Sequence, residues 1–238
     1  RVLEEMMMRA GIPYRVYGGT RFYDRKEIRD VIAYLRLIVN PLDEVALKRI
    51  INVPKRSIGE ATVAALEAHA VEADIPLYST LTDLPPALSS RPRKCVTDFV
   101  ELMNKLVASR ESMPLVDFLQ MLLKETGLLA QYEDTNDEEL ITRRENILEF
   151  VGAVQEFQDQ AEDITLEAFL EHIALVTELD RQEDAPQHIT LMTLHSAKGL
   201  EYEAVFIAGM EDGLFPSYRS KQDERRMEEE RRLCYVGM

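Results

Sequence analysis

Between Thr193 and Glu201 the chain reads Thr-Leu-His-Ser-Ala-Lys-Gly-Leu-Glu, so hydroxyls, an imidazole, an ammonium and a carboxylate share one short segment. His195, one residue past a strand end, and Thr193 can donate hydrogen bonds to a backbone phosphate, the commonest kind of protein–DNA contact. Glu201 can accept hydrogen bonds from ribose hydroxyls, as acidic residues do in other nucleotide sites. A Ser–His hydrolase is a poor reading, because His195 and Ser196 are adjacent and cannot form a nucleophile–base pair, and no strand–turn–helix elbow holds Ser196. Read singly, His195 is a surface-loop histidine satisfied by backbone and Glu201 a solvated glutamate. Lys198-Gly199 reverses the order of a phosphate loop, and none of the ten glycines is followed by lysine. The chain therefore lacks the standard triphosphate cradle.

A second place for chemistry is basic. The window Lys48–Arg56 carries four basic residues and no acid in a chain of net charge −15. A turn from Lys55 to Thr62 follows, through Arg56, Ser57 and Gly59, ahead of a helix at Glu60. Backbone N–H groups at such a helix start suit phosphate, although Glu60 in the first turn opposes an anion. The overall charge argues against a phosphate partner; eight of the 43 acidic residues lie in two connectors, 133–139 and 180–184, away from this window.

The elements that must position these groups follow from periodicity. Residues 1–10 lack helix breakers, and Gly11-Ile12-Pro13 ends a helix there. Tyr14–Tyr17 reads as a short strand closed by Gly18-Gly19. Ile28, Val31, Ile32 and Leu35 form one apolar helical face, stopped by Asn40-Pro41. From Leu42 to Ala185 the pattern is helical, with stripes Leu115/Phe118/Leu119/Leu122, Ile147/Phe150/Val151/Val154 and Leu166/Phe169/Leu170/Ile173. Pro114 is placed in a first turn and Gly127 past an end, with Thr82–Lys94 as a Pro/Ser-rich connector. Strand character returns at Ile189–Leu194, and the apolar run Ala204–Ala208 reads as a strand buried on both faces. In parallel α/β sheets ligands lie beyond the carboxyl ends of strands, where Thr193–Glu201 falls. The predicted fold class is α/β: a parallel-sheet domain interrupted by a large all-α insertion, mostly helical overall, because the N-terminal helix–strand–helix is too small for its own core. Asp223–Arg232 reads as a solvated helix face with a Glu228–Arg232 pair. Tyr14, Tyr17, Phe22 and Tyr23 are either base-stacking aromatics or core.

Taken together the words resemble one family. TLHSAKGLE, VFIAGMEDGLFPS and EEERRLCYVGM are similar to the fifth motif, its continuation and the opening of the sixth in UvrD/PcrA/Rep-type superfamily 1 DNA helicases. Tyr17–Asp30 resembles that family's YGG-x-x-FF-x-R-x-EIKD segment, and Asn52–Gly59 its duplex-contacting Gly-Ile-Gly turn, with Ser57 in place of the first glycine. The landmarks run in family order along the whole chain.

The resemblance implies an incomplete RecA-like second motor domain (residues 1–40 and 187–238) split by a helical accessory domain (residues 41–186). It implies a fragment of an ATP-dependent 3′-to-5′ helicase: Glu201 and Gly199 at the nucleotide, Thr193 and His195 on single-stranded DNA, and Lys55, Arg56, Ser57, Gly59 and Thr62 on duplex. ATP and magnesium would be held mainly by a separate N-terminal motor domain, and the chain, stopping before the family's Thr-Arg-Ala, is expected to hold no complete catalytic set and to hydrolyse no ATP alone. Rival readings are a non-enzymatic DNA-binding or regulatory module, and the motor part of a helicase–nuclease subunit. A plain helical scaffold leaves the strand-end loop unexplained. No metal-ligand spacing appears; Cys95 and Cys234 read as reduced thiols in a cytoplasmic protein. No run reaches membrane-spanning length, and 46% hydrophobic with 30% charged residues places the chain among globular proteins.

Overall fold

A computed structural model describes residues 2–17, 21–133, 135–181, 188–218 and 220–238. Residues 18–20, inside the YGG-like segment, and 182–187, in the second acidic connector, lie outside the described residues. The chain forms two compact units, residues 22–178 and residues 1–21 with 179–238.

The larger unit is all helical. Its centre is α2 (Lys26–Val39), which buries nine residues, more than the single predicted stripe. The cause is its surroundings: α3 (Glu44–Ile50), α5 (Ser90–Ser109) and α7 (Glu138–Gln160) all pack on it. α2 falls within the compact helical unit, residues 22–178. Asp43 caps α3 by accepting from the Ala46 amide at 2.9 Å, and Asp137 caps α7, so both acidic caps sit where helix N-termini favour negative charge.

α4 (Glu60–Ala73) and α6 (Leu115–Thr126) complete the middle of the unit, and Gly127 closes α6 at φ 74°. Pro114 stands at the N-cap of α6, one position before the predicted first turn. α5 starts inside the segment read as a connector: Pro92 lies in its first turn, where a missing N–H costs nothing because those amides have no intrahelical partner. From the three stripes, Phe118, Leu122, Ile147, Phe150, Val154 and, on α8 (Leu166–Arg181), Phe169 are core. Edge-on rings link them: Tyr23 to Phe150 at 6.5 Å, Phe150 to Phe169 at 5.8 Å and Phe169 to Phe157 at 5.2 Å. Phe22 and Tyr23 are therefore core, while Tyr17 is exposed and Tyr14 half-buried.

The second unit holds α1 (Val2–Arg9), β1 (Tyr14–Tyr17), β2 (Ile189–Met192), α9 (Leu194–Ala197) and α10 (Glu224–Gly237). β1 and β2 pair in parallel, from Tyr14 opposite Ile189 to Tyr17 opposite Met192. β2 ends before the predicted Leu194 because Thr193 turns the chain into α9. Ala204–Ala208 is not a strand; Val205 is 58% and Phe206 95% exposed. An apolar run becomes a doubly buried strand only where neighbouring strands and helix layers cover it, and the two-stranded sheet of the described residues supplies neither. No apolar side chain of this unit is buried among the described residues; only Glu4 and Ser220 are. Along α10 the ion pairs run at three-residue spacing, Glu228 to Arg231 and Glu229 to Arg232, instead of the predicted Glu228–Arg232; both spacings bring helix side chains together. Among the described residues no helix is long and apolar enough to cross a membrane.

Candidate functional site

The strand-end segment is built by a parallel ladder that stops, a cap and a glycine. Thr193, at φ −81° and ψ 156°, caps α9: its hydroxyl oxygen accepts from the Ser196 amide at 3.3 Å and lies 3.0 Å from the Ser196 hydroxyl. The cap turns the chain sharply at the carboxyl end of β2, leaving His195 on the exposed side of a single helical turn. The Leu200 amide then donates to the Ala197 carbonyl at 3.0 Å. Gly199 sits between them at φ 85°, a conformation that favours glycine. Glu201 emerges exposed immediately after, with Lys198 and Leu200 also exposed.

The structure thus gathers Thr193, His195, Gly199 and Glu201 at one end of the parallel ladder. A donor pair leads and a carboxylate follows, separated by the left-handed glycine. Behind them, α10 packs on α9 so closely that a Cβ on Gly237 would lie 2.5 Å from the Leu194 Cδ2. A part-buried polar cluster that nothing in the sequence analysis marks anchors the following loop to α10. The Ser220 hydroxyl donates to the Glu230 carboxylate at 2.7 Å, and the Ser217 and Ser220 hydroxyls lie 2.8 Å apart. Serines three apart, with a glutamate on the next helix, carry that signal in the sequence only weakly.

The basic turn of the helical unit is organised from its own interior. Asn52 folds its side-chain carbonyl back to accept from the amides of Arg56 at 2.7 Å and Ile58 at 3.2 Å, the local competition with regular structure typical of asparagine. Tyr34, fully buried on α2, donates its hydroxyl to the Val53 carbonyl at 2.6 Å. Burial pushes its phenol well above the ordinary value, so it remains a donor. Ser57 takes φ 60° and is exposed, while Ile58 is buried and pins the turn.

Gly59 has φ −81° and ψ 173°, open to any residue, and nothing of the chain lies within 4 Å of where its Cβ would be. No side chain caps α4, whose first turn begins at Glu60. The bare glycine leaves that helix start open to outside approach.

The four cations of the window are not equivalent. Lys48 pairs with Glu67 at 2.6 Å. Arg49 pairs with buried Asp30 at 2.7 Å and donates to the Lys26 carbonyl. Desolvation raises the Asp30 pKa despite the Arg49 charge beside it. Arg56 directs its guanidinium inward to three backbone carbonyls. Of the four cations of the window, Lys55 is the one with no partner among the described residues, and it is exposed. Thr62 is half-buried in the first turn of α4. Among the described residues no three His, Cys, Asp or Glu side chains converge as metal ligands.

Comparison with known proteins follows the same lines. The UvrD-like helicase C-terminal domain matches residues 1–238. DNA helicase II of Escherichia coli (strain K12) is 42% identical over all of this chain and 34% of its own length. ATP-dependent DNA helicase PcrA of Bacillus subtilis (strain 168) is 37% identical over all of this chain and 33% of its own. DNA helicase II of Haemophilus influenzae is 42% identical over the same shares. The chain spans about a third of the length of these curated relatives.

Proposed function

The chain belongs to the UvrD-like helicase C-terminal domain family, and on that premise we propose that it forms the second RecA-like motor portion of an ATP-dependent DNA helicase moving 3′ to 5′, with a helical accessory insertion. The observation that carries this reading is the strand-end segment. A parallel ladder ends, and within one turn it presents Thr193 and His195 as donors and Glu201 as an acceptor.

Parallel sheets place ligands at that edge, and donors there suit the phosphates of a single strand. Glu201 suits the ribose of ATP, with Gly199 leaving open space beside it. The residues present fit only that end of the nucleotide. Phosphate binding and magnesium are assigned to a separate motor domain, and no step here runs through the metal. The duplex ahead would meet the turn Lys55–Thr62, at the backbone of Ser57 and Gly59 and at Lys55.

The test separates the two halves of the segment. In a full-length helicase carrying this chain, Glu201→Ala raises the KM for ATP several-fold, since one lost hydrogen bond costs on the order of a kcal/mol, and leaves single-strand affinity nearly unchanged. His195→Ala weakens single-strand binding and leaves the KM for ATP alone. Equal damage to one step by both substitutions would overturn the division of roles.

A further inference from the structure

The inward guanidinium of Arg56 is the one charged group of the basic turn whose geometry the turn's own chemistry does not explain. Its Nη1 donates to the carbonyls of Ile50 at 3.3 Å and Pro54 at 3.2 Å, and its Nη2 to the Thr126 carbonyl at 3.2 Å. Its Cζ lies 5.7 Å from the ring centres of both Tyr34 and Phe99. Ile50 closes α3, Thr126 is the last residue of α6, and Tyr34 and Phe99 belong to α2 and α5.

One side chain therefore joins four helices to the base of one turn. The Thr126 carbonyl is at a helix C-terminus, where a cation is favoured. Only a planar fork with several fixed donors can serve carbonyls in three directions while stacking on rings; an ammonium cannot. The backbone of the same residue is held from the other side by Asn52.

We propose that Arg56 is a positioning residue: with Asn52 and Tyr34 it forms a clamp that holds residues 55–62 in the conformation offered to duplex DNA, and it touches no phosphate itself. This inference rests on the duplex reading of the turn given above. A part-buried clamp explains how an exposed turn containing a non-glycine residue at φ 60° keeps one shape. A flexible turn would lose affinity to the entropy of ordering on binding, which preorganisation avoids.

The experiment uses the 238-residue chain, with amide exchange across 52–62 and titration of a labelled blunt duplex at several salt concentrations. Arg56→Lys keeps the charge and loses the fork; Asn52→Ala breaks the other jaw and stands in if Arg56 variants fold poorly. Both should speed exchange of the 55–62 amides by about tenfold, as expected for local opening, and weaken duplex binding several-fold. Arg56→Gln, which removes the charge, should weaken binding without changing the slope of log K against log salt. Lys55→Ala should lower that slope by about one unit, the signature of a lost phosphate contact, and leave exchange unchanged. A slope that drops by about one unit in Arg56→Gln would mean direct contact and overturn the proposal. Unchanged exchange in both Arg56→Lys and Asn52→Ala would overturn it as well. A parent chain that binds no duplex would defeat the duplex reading instead, with exchange still reporting whether the clamp holds the turn.

Discussion

Ser57 holds a φ of 60° on an ordinary L-residue. Left-handed backbone costs such a residue about 1–2 kcal/mol, and glycine returns about half of that as lost chain entropy. Ser57→Gly should therefore stabilise the chain by about 0.5–1 kcal/mol, read as a higher midpoint in urea with an unchanged m value. Ser57 was legible as a departure from the Gly-Ile-Gly pattern, and its strain follows from the glycine it replaces. The charges beside it were less legible. Counting Lys48, Arg49, Lys55 and Arg56 as one basic window treats four cations alike, yet three of them are engaged within the protein. A side chain's partner is set by tertiary packing, which a linear count of charge does not contain. The same holds for Asn52 and Tyr34: nothing in their spacing marks them as holding the turn.

At the scale of the element, α2 shows where periodicity succeeds and where it stops. The spacing of Ile28, Val31 and Leu35 fixes a helix and one buried face, but not that neighbours on three sides bury Asp30 and Glu27 too. Asp30 has its pKa raised by burial, so the folded chain holds its proton more tightly than the unfolded chain does. Its contribution to stability is fullest below the ordinary value of 3.8 and declines as pH rises through the raised one. The stability difference between the parent and Asp30→Asn should thus move against the parent as pH rises from about 4 across that window, by chemical denaturation at each pH. A parent whose advantage grows with pH there would contradict the burial argument. The helices were legible because apolar stripes, and stops such as Asn40-Pro41 and Gly127, are local signals. Ala204–Ala208 was misread because a strand is completed by neighbours, and five apolar residues in a row carry no information about whether neighbours exist.

At the scale of the molecule the two units differ in what holds them. The helical unit has a ring-centred core, and Phe150→Ala should cost about 3–5 kcal/mol. Phe206 is 95% exposed, and Phe206→Ser should shift stability by less than about 0.5 kcal/mol; urea titration of parent and variants checks both. Amide exchange should be slowest in α2, α6 and α7 and fast through residues 198–222, since opening is easiest where few apolar contacts are buried. The parallel pair β1–β2 ties these expectations together. Its partners lie on opposite sides of the entire helical unit in sequence. In an unfolded chain, bringing such distant segments together carries a loop-closure entropy that grows with the logarithm of the loop, and four residue pairs are slender compensation. Closure of the ladder is therefore expected to follow folding of the insertion, in which the rings from Tyr23 through Phe150 to Phe169 fasten the first turn to the last helix. The ladder then closes a gap already shortened. Slackening that aromatic fastening with Phe150→Ala should speed amide exchange in β1 and β2, the segments whose closure it shortens.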